Sequence, residues 1–177
     1  MFKNNPFFCL KITFFPFYTS LSFVFGMLVK CKWYHDTEYD PNKIDFITNG
    51  CMNKPRGGLW TSPVVSELNW EQWCEWEMPQ WLLKRYKYYF TVDTTDILVI
   101  DSWESADKLP RFIENYSSNR TSIDYEKLAK TYKGIWVKPF DGWRFRNRPF
   151  HFNVWDVDTM LIIDPSCIVQ VAIEIKK

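Results

Sequence analysis

The sequence predicts an α+β fold: a single domain of mixed, mainly antiparallel sheets with short helices. Short β-rich runs and short helical segments follow one another in no repeating order, and neither an internal repeat nor a low-complexity tract interrupts them. The 177 residues fit one domain with a real core and leave little room for a second. A composition of 46% hydrophobic and 24% charged residues is that of a globular chain. The net charge of +1 provides no global field for nucleic acid, so any polyanion contact has to come from a local patch. Aromatic residues make up 19%, and ten tryptophans lie between Trp33 and Trp155, each bringing a large apolar area and an indole N–H that needs a partner.

Residues 1–26 form an apolar leader, and residues 27–177 form the domain. Phe7 to Val29 is almost wholly apolar, broken only by Lys11 and Pro16, with Lys3 ahead of it and no convincing small-x-small cleavage site. Three readings stay open for it: a signal peptide, a membrane anchor of about the ~20 residues a bilayer needs, or an extension upstream of a true start at Met27.

Leu28 to His35 alternates as a strand. Asp40-Pro41 opens a short helix through Phe46, which Asn49-Gly50 ends with a left-handed cap. Gly58 to Thr61 reads as a second strand. After Ser66 a helix begins, with Trp70, Trp73 and Cys74 at i, i+3 and i+4, the spacing of a packed face. Tyr86–Asp93 and Ile97–Asp101 are strands separated by the polar 93–96 stretch, and Ser105 to Pro110 is a short helix and turn. A loop covers 115–121, and Ser122 caps a helix from Asp124 to Thr131. Gly134 introduces the strand Ile135-Trp136-Val137. Met160–Ile163 and Ile168–Ile175 supply the last strands.

The cysteines are at 9, 31, 51, 74 and 167, an odd number with no C-x-x-C pair and no zinc-finger histidine. They read as reduced thiols of a cytoplasmic protein acting as small buried hydrophobes; the membrane-tethered alternative rests on residues 7–29. No metal site is expected.

Two segments suggest a nucleotide pocket. Trp33-Tyr34-His35-Asp36-Thr37 places one of only two histidines at a strand end, and Lys54-Pro55-Arg56-Gly57-Gly58-Leu59-Trp60-Thr61-Ser62-Pro63 joins a Gly-Gly turn to an aromatic and small hydroxyl residues. Read for structure alone, His35 is a strand-end residue, the glycines a tight turn and Trp60 part of the core. Farther on, Asp156-Val157-Asp158 precedes an apolar strand and an Asp164-Pro165-Ser166 turn. The two aspartates lie two residues apart on the same strand face.

In that order these segments resemble the ADP-ribosyltransferase superfamily, in the arrangement shared by poly(ADP-ribose) polymerase-like and diphtheria-toxin-like domains. The resemblance spans roughly residues 28 to 175 and is carried by the sequence of motifs, each short and degenerate by itself. It implies NAD as substrate, with His35, Thr37, Trp60 and Ser62 as its contacts. Trp60 would stand in for the tyrosine that stacks on nicotinamide, and Asp158 or Asp156 would be the catalytic carboxylate. Transfer of ADP-ribose passes through an oxocarbenium-like centre, which a carboxylate beside the ribose stabilises. Two departures stand out: Asp36 replaces the glycine after the histidine, and an aspartate replaces the usual glutamate. The resemblance implies a mono-ADP-ribosyltransferase acting on a macromolecular acceptor, protein or nucleic acid, or else a non-catalytic nucleotide- or partner-binding module on the same fold.

The strongest basic patch is Asp141 to Phe152. Alternation there places Arg144, Arg146 and Arg148 opposite Trp143 and Phe145, either as a phosphate contact or as an amphipathic strand. Lys84-Arg85-Tyr86-Lys87 is weaker and suits a helix C-terminus.

Overall fold

A computed structural model describes residues 26–50, 53–113, 121–143, 152 and 154–175. The leader, the 114–120 part of the loop and the Arg144–Arg148 patch lie outside the described residues, as do Cys9 and Cys51. Among the described residues no helix is long and apolar enough to cross a membrane.

The chain runs β1 (Leu28–His35), β2 (Leu59–Pro63), α1 (Trp70–Glu77), β3 (Tyr86–Asp93), β4 (Ile97–Ile100), α2 (Trp103–Asp107), β5 (Arg111–Ile113), β6 (Thr121–Ile123), α3 (Tyr125–Leu128), β7 (Gly134–Val137), β8 (Thr159–Ile162) and β9 (Ile168–Ile175). Seven strands make one sheet in the order β4-β7-β8-β2-β1-β3-β9, and β5 pairs with β6 in a separate ribbon. Among the described residues only β4 and β7 pair in parallel; every other strand pair is antiparallel. This is the α+β, mainly antiparallel architecture that the sequence predicts.

Both faces of the sheet are apolar, and the period of two along each strand sorts the side chains between them. On one face Ile100, Ile135, Val137 and Leu161 pack with Leu109, Ile123, Leu128 and Trp155. On the other, Val29, Cys31, Leu59, Phe90, Trp136, Met160 and Ile162 pack together. Strands covered on both sides read as near-continuous apolar runs, which is why Ile135-Trp136-Val137 and Met160-Leu161-Ile162 stand out in the sequence.

Several local expectations are corrected. The helix from Asp40 is a single 3-10 turn, Pro41–Lys43, with the Asp40 side chain accepting from the Asn42 amide; Ile44 is already extended. The left-handed residue is Asn53, at φ 57°, whereas Gly50 has no positive φ. The Asn53 carbonyl accepts from Tyr125 Oη at 2.7 Å and from Trp155 Nε1 at 2.8 Å, so the turn anchors two of the largest buried side chains. α1 begins later than Ser66, at Trp70, where Asn69 caps it through a reciprocal box with Gln72. Asp124 caps α3, while Ser122 belongs to β6. Asp156 and Asp158 fall in the loop before β8 and not on a strand.

Gly57 and Gly58 lie at φ 81° and 68° and deliver the chain into β2. A Cβ on Gly57 would sit 2.2 Å from the Phe46 carbonyl oxygen, a backbone atom with no freedom to move aside. Gly57→Ala is expected to cost roughly 1–3 kcal/mol through strain and collision together. A shift of the urea midpoint at unchanged slope checks it; an unchanged midpoint contradicts this account of the turn.

Candidate functional site

Between β1, β2, α1 and the loop before β8 opens a cleft of about 430 Å³, within the roughly 300–1,000 Å³ typical of ligand pockets. β1 and β2 pair with Lys32 opposite Ser62, so these side chains share the face that Tyr34 and Trp60 extend. Trp70 and Trp73 from α1, with Trp81 from the turn after it, form an aromatic wall: the Trp70 and Trp81 rings lie 6.1 Å apart and nearly parallel. Trp155 and Asp156 close the other side. There the Trp60 ring meets Trp155 at 4.9 Å and donates its indole N–H to the Gly57 carbonyl at 3.0 Å. Lys54 reaches over Trp60, its Nζ 4.9 Å from the ring centroid, and donates to the Val154 carbonyl at 3.1 Å. Desolvation holds the Lys54 ammonium below its ordinary pKa, and the charge of Asp156 opposes that shift.

Of the six residues that the motif order assigns to one ligand, the structure brings Trp60, Ser62 and Asp156 together along this cleft. The Ser62 hydroxyl is already engaged: it donates to the Asp158 carbonyl at 2.7 Å and accepts from the Trp70 amide at 3.0 Å. Only a remaining lone pair is left for a ligand. Asp158 lies buried beneath the cleft, its Oδ1 accepting from Trp136 Nε1 at 2.6 Å. Burial pushes its carboxyl above the ordinary range, and the hydrogen bonds from Trp136 and Ser66 counter this.

His35 and Thr37 are not among the lining residues. His35 is exposed at the end of β1, on the face opposite Tyr34; its ring stacks on Trp33 at 4.6 Å, and its Nδ1 meets Thr37 Oγ1 at 2.7 Å. Asp36 points to solvent and pairs with Lys84 at 2.6 Å, a contact that holds its carboxyl below the usual range.

The motif order misses the polar cluster beside the cleft. Glu71, on the first turn of α1, accepts from Lys32, from Tyr34 Oη and, at 3.1 Å, from Lys87 Nζ. Burial alone would raise the Glu71 carboxyl, but these three donors outweigh it and hold the group at about 2. The signal was present in the alternation of β1, which sets Lys32 and Tyr34 on the Trp60 face. The acid that joins them is legible only once α1 is docked.

The described cysteines, Cys31, Cys74 and Cys167, are buried free thiols, pushed by desolvation to about 12, 12 and 11. At neutral pH they are protonated, as small buried hydrophobes and not nucleophiles. Among the described residues no group of histidine, cysteine and acidic side chains could hold a metal ion. Comparison with protein-family models, with curated proteins and with solved structures finds no match.

Glu71 sets a pH dependence of known sign. Its carboxyl is charged in the folded chain down to about 2, but in the unfolded chain only down to its ordinary 4.5. Its contribution is therefore complete above pH 4.5 and is lost as pH falls toward 2. Glu71→Gln leaves the partly buried Lys32 ammonium without its carboxylate and Lys87 with only the more distant Glu174, and is expected to cost about 2–4 kcal/mol at pH 7, the low side of a broken buried pair because the site is partly wet. Urea denaturation of both proteins from pH 2 to 7 checks it, and a gap that does not close toward acid pH refutes the assignment.

Proposed function

We propose that the protein binds NAD in the Trp60 cleft and acts as a mono-ADP-ribosyltransferase-like protein, passing ADP-ribose to a macromolecular acceptor. The observation that carries this reading is the convergence of Trp60, Ser62 and Asp156 on one cleft from segments far apart in the chain. Nicotinamide lies flat against the Trp60 indole, which its hydrogen bond to Gly57 holds in place. Lys54, whose Nζ stands over that ring, supplies positive charge for a phosphate once it swings off the face that nicotinamide takes. Of the two candidate acids, Asp156 is the one at the cleft, and Asp158 is spent on the Trp136 indole. In the reaction the bond between the ribose C1′ and the nicotinamide nitrogen breaks, and the nicotinamide leaves with the electron pair. The Asp156 carboxylate stabilises the cationic ribose until an acceptor nucleophile bonds to C1′ and releases its proton.

A second reading is a module that binds the nucleotide without transferring it. Two observations favour it: His35 and Thr37 stand apart from the cleft, and Asp158 is buried and hydrogen-bonded.

Titration with NAD, followed by quenching of tryptophan fluorescence, and assay of nicotinamide release separate the readings. Trp60→Ala is expected to weaken NAD binding about tenfold, equivalent to about 1.4 kcal/mol. Asp156→Asn is expected to leave binding within about threefold while lowering nicotinamide release about 100-fold. Binding without any release supports the second reading. Absence of NAD binding removes both.

A further inference from the structure

The last strand leaves one edge of the seven-stranded sheet unpaired among the described residues, and that edge is apolar. β9 runs for eight residues without a proline, and Val171, Ile173 and Ile175 are 44%, 49% and 58% exposed. They stand opposite Phe90, Tyr88 and Tyr86 of β3, three buried side chains, so this row continues the inner core outward to the edge. Sheet edges are normally protected by short strands, proline, inward-pointing charge or bulges placed along them. Here the bulge between β3 and β9 lies at the Ile168 end only, and the one described charge of the strand, Glu174, is drawn back toward Lys87 and Tyr89. A row of open backbone groups beside an apolar row is the surface used in strand addition.

We infer that β9 pairs antiparallel with β9 of a second copy of this chain, about a two-fold axis at Ala172. The sequence of the strand suits this occupant and this register. With Ala172 opposite its own copy, Val171 meets Ile173 of the second copy and Ile173 meets Val171, so both central pairs on the inner face are β-branched. On the outer face Gln170 meets Glu174, an acceptor opposite an amide donor. Moving the axis to Glu174 would set two carboxylates against each other, and an axis at Val171 would place Glu174 opposite Ile168. Residues directly opposite in an antiparallel pair share a face, and the two-fold axis makes every favourable pair occur twice. Backbone hydrogen bonds along eight residues hold the contact, which is small, so the dimer is concentration-dependent, in the micromolar range or thereabouts.

Sedimentation of the full chain over a concentration series tests this, and the expected result is a reversible shift from one to two chain masses. Ile173→Lys, at an exposed position, is expected to stay folded by circular dichroism and to remain monomeric. Ala172→Cys supplies a readout that does not depend on that variant folding. Opposed Cα atoms about 4.5–5.5 Å apart lie within disulfide range, so mild oxidation should link two chains through residue 172. Gln170→Cys, about 13 Å from its own copy in this register, should not link. The inference is overturned if the full chain is monomeric at every concentration, as it would be if residues 1–25 covered β9. It is equally overturned if Ile173→Lys leaves the dimer intact, or if Gln170→Cys links and Ala172→Cys does not.

Discussion

The Ser62 hydroxyl donates to the Asp158 carbonyl and accepts the Trp70 amide, and the Asp158 amide in turn donates to the Leu68 carbonyl at 2.9 Å. These three bonds join the end of β2, the first turn of α1 and the loop entering β8, the segments that border the cleft. A hydroxyl can do this because it is donor and acceptor at once. Alanine at this position would strand an amide and a carbonyl in a buried place, each costing about 1–3 kcal/mol. The cleft is therefore a consequence of how α1 is anchored: its capped end is tied to the sheet, and the body of the helix stands off far enough to leave a space lined with tryptophan.

The same anchoring explains the charge beside the cleft. Once the first turn of α1 is fixed over β1, Glu71 meets Lys32, Tyr34 and Lys87, which strand alternation has placed on one face of β1 and β3. An acid near a helix N-terminus also suits the helix dipole, so the position is favoured twice. Each ammonium group would be costly to bury alone. Together with one carboxylate and a phenol they form a satisfied network at the mouth of an otherwise apolar space.

The strands of the main sheet were the legible part of this chain, because a period of two is written locally; the β5–β6 ribbon, read as turn, loop and cap, was not. Leu28–His35 and Tyr86–Asp93 have the same bounds in sequence and structure. Ends of helices were less legible, since several residues compete to cap. Ser122 is a sound cap by residue type, but Asp124 sits where the first amide without a helical partner points. The stretch from Asp40 to Phe46 looked helical from its start and stop residues. From Ile44 it is instead drawn out by a bridge between Thr48 and Arg56 and by the amide of Gly58 bonding to the Asp45 carbonyl, contacts that close only when the chain has turned back. For the site, motif order located Trp60 and Asp156 in one place but carried no information about which side of β1 each residue faces. A single step along the strand separates His35, stacked on Trp33, from Tyr34, which lines the cleft.

The two aspartates before β8 show how environment divides like residues between tasks. Asp158 is enclosed, bonded to an indole, and tied by its own backbone to Ser62 and Leu68, so a ligand could reach it only by dismantling the anchor of α1. Asp156 stands at the cleft wall within the field of Lys54. Burial and hydrogen bonding thus commit Asp158 to holding α1 in place, while Asp156 is the acid left at the cleft beside Lys54.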